Sequence, residues 1–216
     1  MKIIDSITAH DMEADLYDQQ SSDINWSGPE IIFGLSFNYV KSNEDLFDLG
    51  IGTGLSSQPF NKTGLNIYGL DGSKNMLNIC ESKNIAVDLK QFDIQSSPYP
   101  YSDKSFNHAI SVGVFNFFCD LKVMFQEISR VMIKNGIFGF TIRDNVSSQN
   151  SNPTNIKGVF TEPTNEGIPE FMHDDEYIEN LLQYCGFDKI KEVKFMVWYT
   201  SEQREVPFLA VLGQKL

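Results

Sequence analysis

The stretch DLFDLGIGTG, residues 45–54, carries three glycines at alternate positions behind an apolar run that also contains acidic side chains. The segment EDLFDL, residues 44–49, is typical of a buried strand, and glycines after a strand let the backbone approach a ligand closely. A dinucleotide fingerprint would have its third glycine at position 55, where this chain has Leu55. No lysine directly follows the glycines, which excludes a P-loop. The stretch therefore predicts a ligand loop at the end of a parallel strand, and it argues against NAD.

Strand-like and helix-like segments alternate from about residue 45 onward, which indicates an α/β fold with a parallel sheet. The clearest helix has apolar residues every three or four positions from Leu121 to Met132, and Asn135 with Gly136 ends it. Ser73 is predicted to cap another helix. Further strands are predicted at LNIYGLD (65–71), IAVDLKQFD (85–93), FNHAISVGVF (106–115) and IFGFTI (137–142), with a closing pair in KIKEVKFMVWY and VPFLAVLG.

The order of these segments predicts a single domain over residues 1–216. We divide it into a helical N-terminal preface (1–43), a ligand-binding core (44–142), a loop or lid insertion (143–172) and a C-terminal helix with a strand pair (173–216). The insertion is polar and too long for an ordinary connection, so a disordered insertion and a functional lid both remain open.

Composition limits the partners that the chain can have. The net charge is -12 and the pI is about 4.6, so the surface field should repel nucleic acids and anionic lipid headgroups. The three cysteines are widely spaced and show no metal-binding pattern, which predicts no metal site and a reducing compartment. No stretch resembles a signal peptide or a membrane span. We therefore expect a soluble cytoplasmic protein, a monomer or a homodimer, with a small-molecule partner.

Three acidic residues end or follow predicted strands and suggest the ligand. Asp48 lies just before the glycines, where its carboxylate favours a cationic group over a pyrophosphate. Asp71 ends the second strand, where it can accept hydrogen bonds from both ribose hydroxyls. Asp93 can accept from an exocyclic amino group while the Ile94 N–H donates to a ring nitrogen, which suits adenine. An adenosine with a positive, amino-acid-like tail is S-adenosylmethionine (SAM), so we predict SAM as the cofactor.

Four ordered motifs resemble those of one known family, and together they span roughly residues 44–143. They are DLGIGTG, YGLDGSKNML, FDIQSSPYPYSDKSFNHAISVGVFNFF and LKVMFQEISRVMIKNGIFGFTI. With them the chain resembles class I SAM-dependent methyltransferases, specifically the small-molecule type related to ubiquinone and menaquinone biosynthesis enzymes. The resemblance implies a Rossmann-like fold with helices on both faces of a mostly parallel seven-stranded sheet, whose last strand is antiparallel.

The resemblance also implies roles for individual residues. It places Asp48 and the three glycines around the methionine part of SAM, and Gly72 and Met76 near the adenine. The predicted cofactor-binding residues are Asp48, Gly50, Gly52, Gly54, Asp71, Gly72, Met76, Asp93 and Ile94. In this family the N-terminal preface folds over SAM, so Tyr17 and Trp26 are candidate lining residues.

The chain departs from the family at two places. Gly72 stands where a bulkier apolar residue is common, which predicts a thinner wall beside the adenine. Asn116 and Phe117 occupy positions where many relatives have histidines, so no catalytic histidine carries over. Asn116 remains a substrate candidate. Arg143 leaves the fifth strand on the binding side, where contact with a polar substrate and a solvated loop position are both open.

We interpret the histidines and the phenylalanines that follow the fourth predicted strand mostly as structural residues. His108 lies in an apolar strand and is predicted to be a hydrogen-bonded core residue, whereas His10 and His173 are predicted at the surface. Phe115, Phe117 and Phe118 suggest an apolar acceptor site, unless they belong to the core.

The predicted function is transfer of a methyl group from SAM to a small-molecule acceptor by in-line displacement. Positioning and exclusion of water can supply most of the rate, so a general base is optional, and the sequence identifies no catalytic residue. The acceptor atom, oxygen, nitrogen or carbon, stays open. The alternative is a SAM-binding protein without methyl transfer, which either performs other SAM chemistry or acts as a non-catalytic interaction module.

Overall fold

The computed structural model describes residues 5–144, 151–162, 168–200 and 203–216, and five parallel strands organise it. They lie in the order β3-β2-β1-β4-β5. Because the strand order reverses between β1 and β4, a crevice is expected beyond the carboxyl ends of these two strands. The bounds are β1 Asp45–Leu49, β2 Asn66–Asp71, β3 Ala86–Gln91, β4 His108–Ser111 and β5 Ile137–Arg143.

Three short strands occupy the segment predicted as a loop or lid insertion. They are β6 (Asn152–Pro153), β7 (Val159–Glu162) and β8 (Glu170–His173), and we call them the ribbon. The ribbon strands pair antiparallel with one another, and β8 continues the sheet beside the end of β5. The segment is therefore neither a plain loop nor a disordered insertion in its described part.

Two long strands complete the sheet, β9 (Phe187–Tyr199) and β10 (Arg204–Lys215). Strand β10 pairs antiparallel with both β5 and β9. Strands β1–β5 with β9 and β10 thus form the predicted seven-stranded sheet, in which the last strand alone runs antiparallel. The ribbon raises the number of strands in the described sheet to ten.

Three of the described α-helices begin at a side chain that caps them. Ser73 accepts a hydrogen bond from the Met76 N–H, and Asp174 caps its helix in the same way through Tyr177. The helices are α1 Ser6–Glu13, α2 Tyr17–Asp23, α3 Gly28–Ser36, α4 Gln58–Lys62, α5 Lys74–Ser82, α6 Lys122–Val131 and α7 Asp175–Tyr184. Within the described part of the chain, no helix has the length and apolarity that a membrane crossing needs.

The core lies on both faces of the sheet. Successive residues of a strand point to opposite faces, so Leu46 and Phe47 enter different clusters although both are fully buried. Residues of α6 and α7 cover the Phe47 face, and residues of α3 and α5 cover the Leu46 face. This arrangement confirms the predicted α/β fold with helices on both faces.

Two histidines are buried in the fold, one of them contrary to prediction. His108 lies 2.9 Å from Glu44 through Nε2, and its Nδ1 accepts the Ile137 N–H, so it is a hydrogen-bonded core residue as predicted. His173 was predicted at the surface, but it is fully buried against Tyr177. Burial lowers the pKa of His173 to about 4, so the ring is neutral at physiological pH. The prediction failed because His173 ends β8, whose pairing with β5 was not foreseen.

Candidate functional site

A pocket lies where the crevice is expected, beyond the carboxyl ends of β1, β2 and β4. It holds about 580 Å³ of free space, which includes solvent at its mouth. The glycine loop forms its floor, and α1 and the start of α2 cover it. It brings together seven of the predicted site residues, namely Tyr17, Gly50, Gly52, Asp71, Gly72, Met76 and Ile94.

The three loop glycines all have positive φ angles, but they serve different purposes. A Cβ on Gly50 would lie 2.5 Å from a Val114 methyl group, and one on Gly54 would lie 2.5 Å from Ile85. A Cβ on Gly52 would meet no described atom within 4 Å. Gly50 and Gly54 are therefore required by packing, whereas Gly52 keeps a side chain out of the pocket itself.

Asp71 holds the glycine loop against the start of α5. Its Oδ2 accepts the Gly52 N–H and its Oδ1 accepts the Ser73 N–H, each at 2.8 Å. Burial raises the pKa of Asp71, and the two N–H donors act in the opposite direction. The carboxylate is thus fixed in the pocket wall, where a sugar hydroxyl can reach its remaining lone pairs.

Asp48 lies beneath the loop and is only 1% exposed, so it does not line the pocket. Its Oδ2 accepts the Ser57 hydroxyl at 2.7 Å, while no described residue donates to its Oδ1. Burial raises the pKa of Asp48 to about 7, the Ser57 hydroxyl opposes this, and the charge of Asp71 adds to it. A buried carboxylate with an unpaired oxygen is costly unless a cation or donor approaches it.

The Asp48→Asn variant should therefore be more stable than the parent protein above neutral pH. Between the unfolded pKa of 3.8 and the folded pKa of about 7, only the unfolded chain releases the proton, so the free energy of unfolding falls as pH rises. Each pKa unit corresponds to about 1.4 kcal/mol. Urea denaturation at acidic and alkaline pH should show a gain for Asp48→Asn that appears only at alkaline pH. The exposed Asp188→Asn serves as the control, and a gain equal at both pH values would contradict the account.

The end of the pocket predicted for adenine is closed by α1. Ile94 lines it, and a Cβ on Gly72 would lie 2.6 Å from the Ile7 side chain. Ile7 thus fills the space that Gly72 leaves. The sequence predicted a thinner wall beside the adenine, but the wall is closed by Ile7. Asp93 is exposed and lies outside the lining, where its carboxylate accepts the Gln95 N–H at 3.0 Å.

The two aromatic residues predicted for the preface occupy different places. Tyr17 lines the pocket, and burial raises its pKa to about 12, with Asp71 the largest of three nearby carboxylates that add to the shift. Trp26 packs against Phe195 and Phe208 and is not among the lining residues. It supports the pocket from behind, since a Cβ on Gly113 would lie 3.3 Å from its ring.

His10 lines the pocket, although the sequence placed it at the surface. Its ring centroid lies 4.9 Å from that of Phe117 and 6.0 Å from that of Tyr17. Sequence reasoning missed it because the course of α1 over the sheet depends on tertiary contacts. Asp11 makes such a contact, since it accepts the Ser73 hydroxyl at 2.7 Å. The sequence did contain one signal. His10 and Tyr17 lie about two helical turns apart, so both can lie on the same face of a helical preface.

Asn116 and Arg143 lie beside the ribbon and not among the lining residues. The Asn116 amide donates to Glu170 at 3.5 Å, and Arg143 forms buried ion pairs with Glu162 and Glu170. Arg143 is 1% exposed, so the solvated loop interpretation is wrong. Its observed role is to bind the ribbon to β5. Over the described ranges, no group of three or more His, Cys, Asp or Glu side chains is placed to hold a metal.

The chain matches one family and several known proteins. Residues 47–140 match the family model of a methyltransferase domain. An uncharacterized protein of Methanocaldococcus jannaschii is 30% identical over 174 residues, which cover 74% of this chain and 65% of that protein. A demethylmenaquinone methyltransferase of Tropheryma whipplei is 26% identical over 101 residues, 44% of this chain and 42% of that enzyme. The matches thus span less than two thirds of either relative.

A solved structure is similar over nearly the whole length. It is the putative methyltransferase of Haloferax volcanii in complex with the Trm112 methyltransferase activator. The TM-score is 0.75 at 17% identity, and the alignment covers 96% of both chains. At this identity the similarity concerns the fold.

Proposed function

We propose that the chain transfers a methyl group from SAM to a small-molecule acceptor, a proposal supported by the methyltransferase-domain model that residues 47–140 match. The family match and the fold support the resemblance to methyltransferases seen in the four motifs, and SAM is the cofactor that this resemblance implies. The acceptor class, the monomeric or dimeric state and the cytoplasmic location stay predictions.

One observation carries the proposal. The backbone of Gly52 lines the pocket without a side chain, and Asp71 is fixed in the same pocket as a hydrogen-bond acceptor. A turn that only connected β1 with α4 would need Gly52 for its positive φ angle, but here the open Cβ position also lies in the pocket beside the half-buried carboxylate of Asp71. The arrangement suits a ligand that lies flat on the loop and presents hydroxyl groups to Asp71.

The residues present fit SAM. We propose that Asp71 binds the ribose, that Ile94 and Ile7 enclose the adenine, and that the methionine part lies over Gly50 and Gly52. Burial is the main cause of the raised pKa of Tyr17, and the charges of three carboxylates, Asp71, Asp18 and Asp48, add to it, so acidic side chains give the pocket a negative potential. That potential favours a ligand with a positively charged sulfur and an ammonium group. When Asp48 is ionised, its unpaired Oδ1 strengthens this potential from below.

The chain's own residues would then supply orientation and exclusion of water. SAM provides a methyl group on a positively charged sulfur, which a nucleophile can displace in line. Helices α1 and α2 cover the pocket, and Asp18 holds α2 to the glycine loop by accepting the Thr53 hydroxyl at 2.6 Å. Phe117 and Phe118 form an apolar wall for the acceptor. A dry, fixed site of this kind favours displacement over hydrolysis.

The proposal is tested by incubating the protein with methyl-labelled SAM and a panel of apolar small molecules. Methylated products should appear with the parent protein and should be strongly reduced with Asp71→Asn. The variant keeps the size of the side chain but loses the charged acceptor, and such hydrogen bonds contribute about 1.5–3 kcal/mol. We expect SAM affinity to fall roughly ten- to a hundredfold. Asp93→Asn, at an exposed carboxylate outside the lining, should have a smaller effect. Unchanged SAM affinity in folded Asp71→Asn would reject the ribose role.

A further inference from the structure

His10 is a titratable residue of the pocket to which the proposed mode of SAM binding assigns no role. It lies on the inner side of α1, and its ring contacts Phe117 of the apolar wall. His10 thus contacts the apolar wall through Phe117, and it takes no part in the proposed enclosure of the adenine by Ile7 or in the proposed ribose contact of Asp71.

The hydrogen bonding of His10 fixes its neutral tautomer. Its Nδ1 lies 2.7 Å from the Ser6 carbonyl oxygen. A carbonyl oxygen only accepts hydrogen bonds, so Nδ1 must carry the proton and the lone pair is on Nε2. No residue within the described ranges forms a hydrogen bond with Nε2, the nitrogen at the far end of the ring. The pocket therefore contains an imidazole with a free basic nitrogen.

Titratable groups face His10 from three elements of the fold. Asp71 of β2 is close enough that a positive charge on His10 would lower the pKa of Asp71. Tyr17 of α2 also faces the ring, and it stays neutral since burial holds its pKa at about 12. On α1 itself, Asp11 is engaged by Ser73 and Asn75. Phe117 and Phe118, in the segment that follows β4, contribute no charge.

We propose that His10 is the general base that removes a proton from a hydroxyl-bearing acceptor as the acceptor takes the methyl group. The inference rests on the proposed function. The acceptor O–H bond breaks and its proton goes to Nε2 of His10. The oxygen uses the freed electron pair to bond the methyl carbon, and the pair of the broken carbon–sulfur bond stays on sulfur. A methyl ether, a neutral thioether and an imidazolium facing Asp71 result.

The first test measures the tautomer and needs no turnover. Long-range proton–nitrogen NMR spectra of the protein saturated with S-adenosylhomocysteine should show His10 with a proton on Nδ1 and none on Nε2 at alkaline pH. His10→Gln identifies the resonance. A proton on Nε2 in this complex would overturn the proposal, whereas absence of S-adenosylhomocysteine binding would instead reject the proposed function.

The second test uses phenols as hydroxyl-bearing probes and pyridine as a nucleophile that has no proton to lose. His10→Ala should keep its SAM affinity, lose at least tenfold in the rate of phenol methylation, and regain rate when imidazole is added. Any methylation of pyridine should be unaffected. Met12→Ala, at an exposed position of the same helix, is the control. An unchanged phenol rate in His10→Ala, a loss that imidazole does not restore, or failure of the SAM-binding parent protein to methylate any phenol would overturn the proposal.

Discussion

Replacement of Gly52 by alanine is expected to remove most of the affinity for SAM while the protein remains folded. The new methyl group would project into the free space of the pocket, since no described atom lies within 4 Å of its position. An extra methyl group in a packed site costs about 1–3 kcal/mol, which corresponds to roughly a five- to 150-fold loss of affinity. The φ angle of +53° adds a stability cost of about 1–2 kcal/mol for an L residue. Calorimetric titration with SAM and thermal unfolding measure the two effects separately.

Two other glycines provide matched controls for this variant. Gly54→Ala should lower stability more than Gly52→Ala, because its Cβ would lie 2.5 Å from Ile85 and 2.8 Å from the Cys80 sulfur. Gly34→Ala lies within α3 with no atom in reach of its Cβ, so it should leave binding unchanged and raise stability by about 0.5–1 kcal/mol. If folded Gly52→Ala bound SAM as tightly as the parent protein, the ligand would not lie on this loop.

Replacement of Arg143 by methionine should be among the most destabilising single changes. Arg143 is buried between Glu162 and Glu170, and its loss leaves two carboxylates in the interior with fewer positive partners. Removal of one partner from a buried ion pair costs about 3–5 kcal/mol. Chemical denaturation should show this loss, and SAM affinity of the folded fraction should hardly change since Arg143 does not line the pocket.

A compensated variant distinguishes charge from packing at this position. Arg143→Met combined with Glu162→Gln and Glu170→Gln removes the uncompensated charges and should recover much of the lost stability. Part of the cost will remain, because Glu162 also pairs with Arg204 at 2.8 Å and Glu170 accepts the Tyr199 hydroxyl at 3.1 Å. If the free energy of unfolding fell by less than about 1 kcal/mol in Arg143→Met alone, the ion pairs of Arg143 with Glu162 and Glu170 would contribute no more than exposed ion pairs do.

The ligand loop and the main sheet could be predicted from the sequence because their signals are local. A buried strand followed by closely spaced glycines specifies a turn at a strand end, and Asp71 ends the neighbouring parallel strand. Parallel pairing of β1 with β2 then brings the two strand ends together. The conformation of Gly52 and the position of Asp71 both follow from these short-range patterns.

The positions of His10, Trp26 and Arg143 could not be predicted in the same way. Each depends on contacts between segments far apart in the chain. His10 reaches the pocket because Asp11 fastens α1 to the start of α5, and Trp26 is held by aromatic residues of β9 and β10. Arg143 is buried by a ribbon whose strands are only two to four residues long, too short for a periodic pattern.

Isothermal titration of the purified protein with SAM, and with its demethylated product S-adenosylhomocysteine, tests the central claim most directly. The account predicts that both ligands bind with micromolar or lower dissociation constants, because both carry the ribose that Asp71 would bind and the adenosine that Ile7 and Ile94 would enclose. Absence of heat and of competition with either ligand would contradict the claim that this pocket is a SAM site.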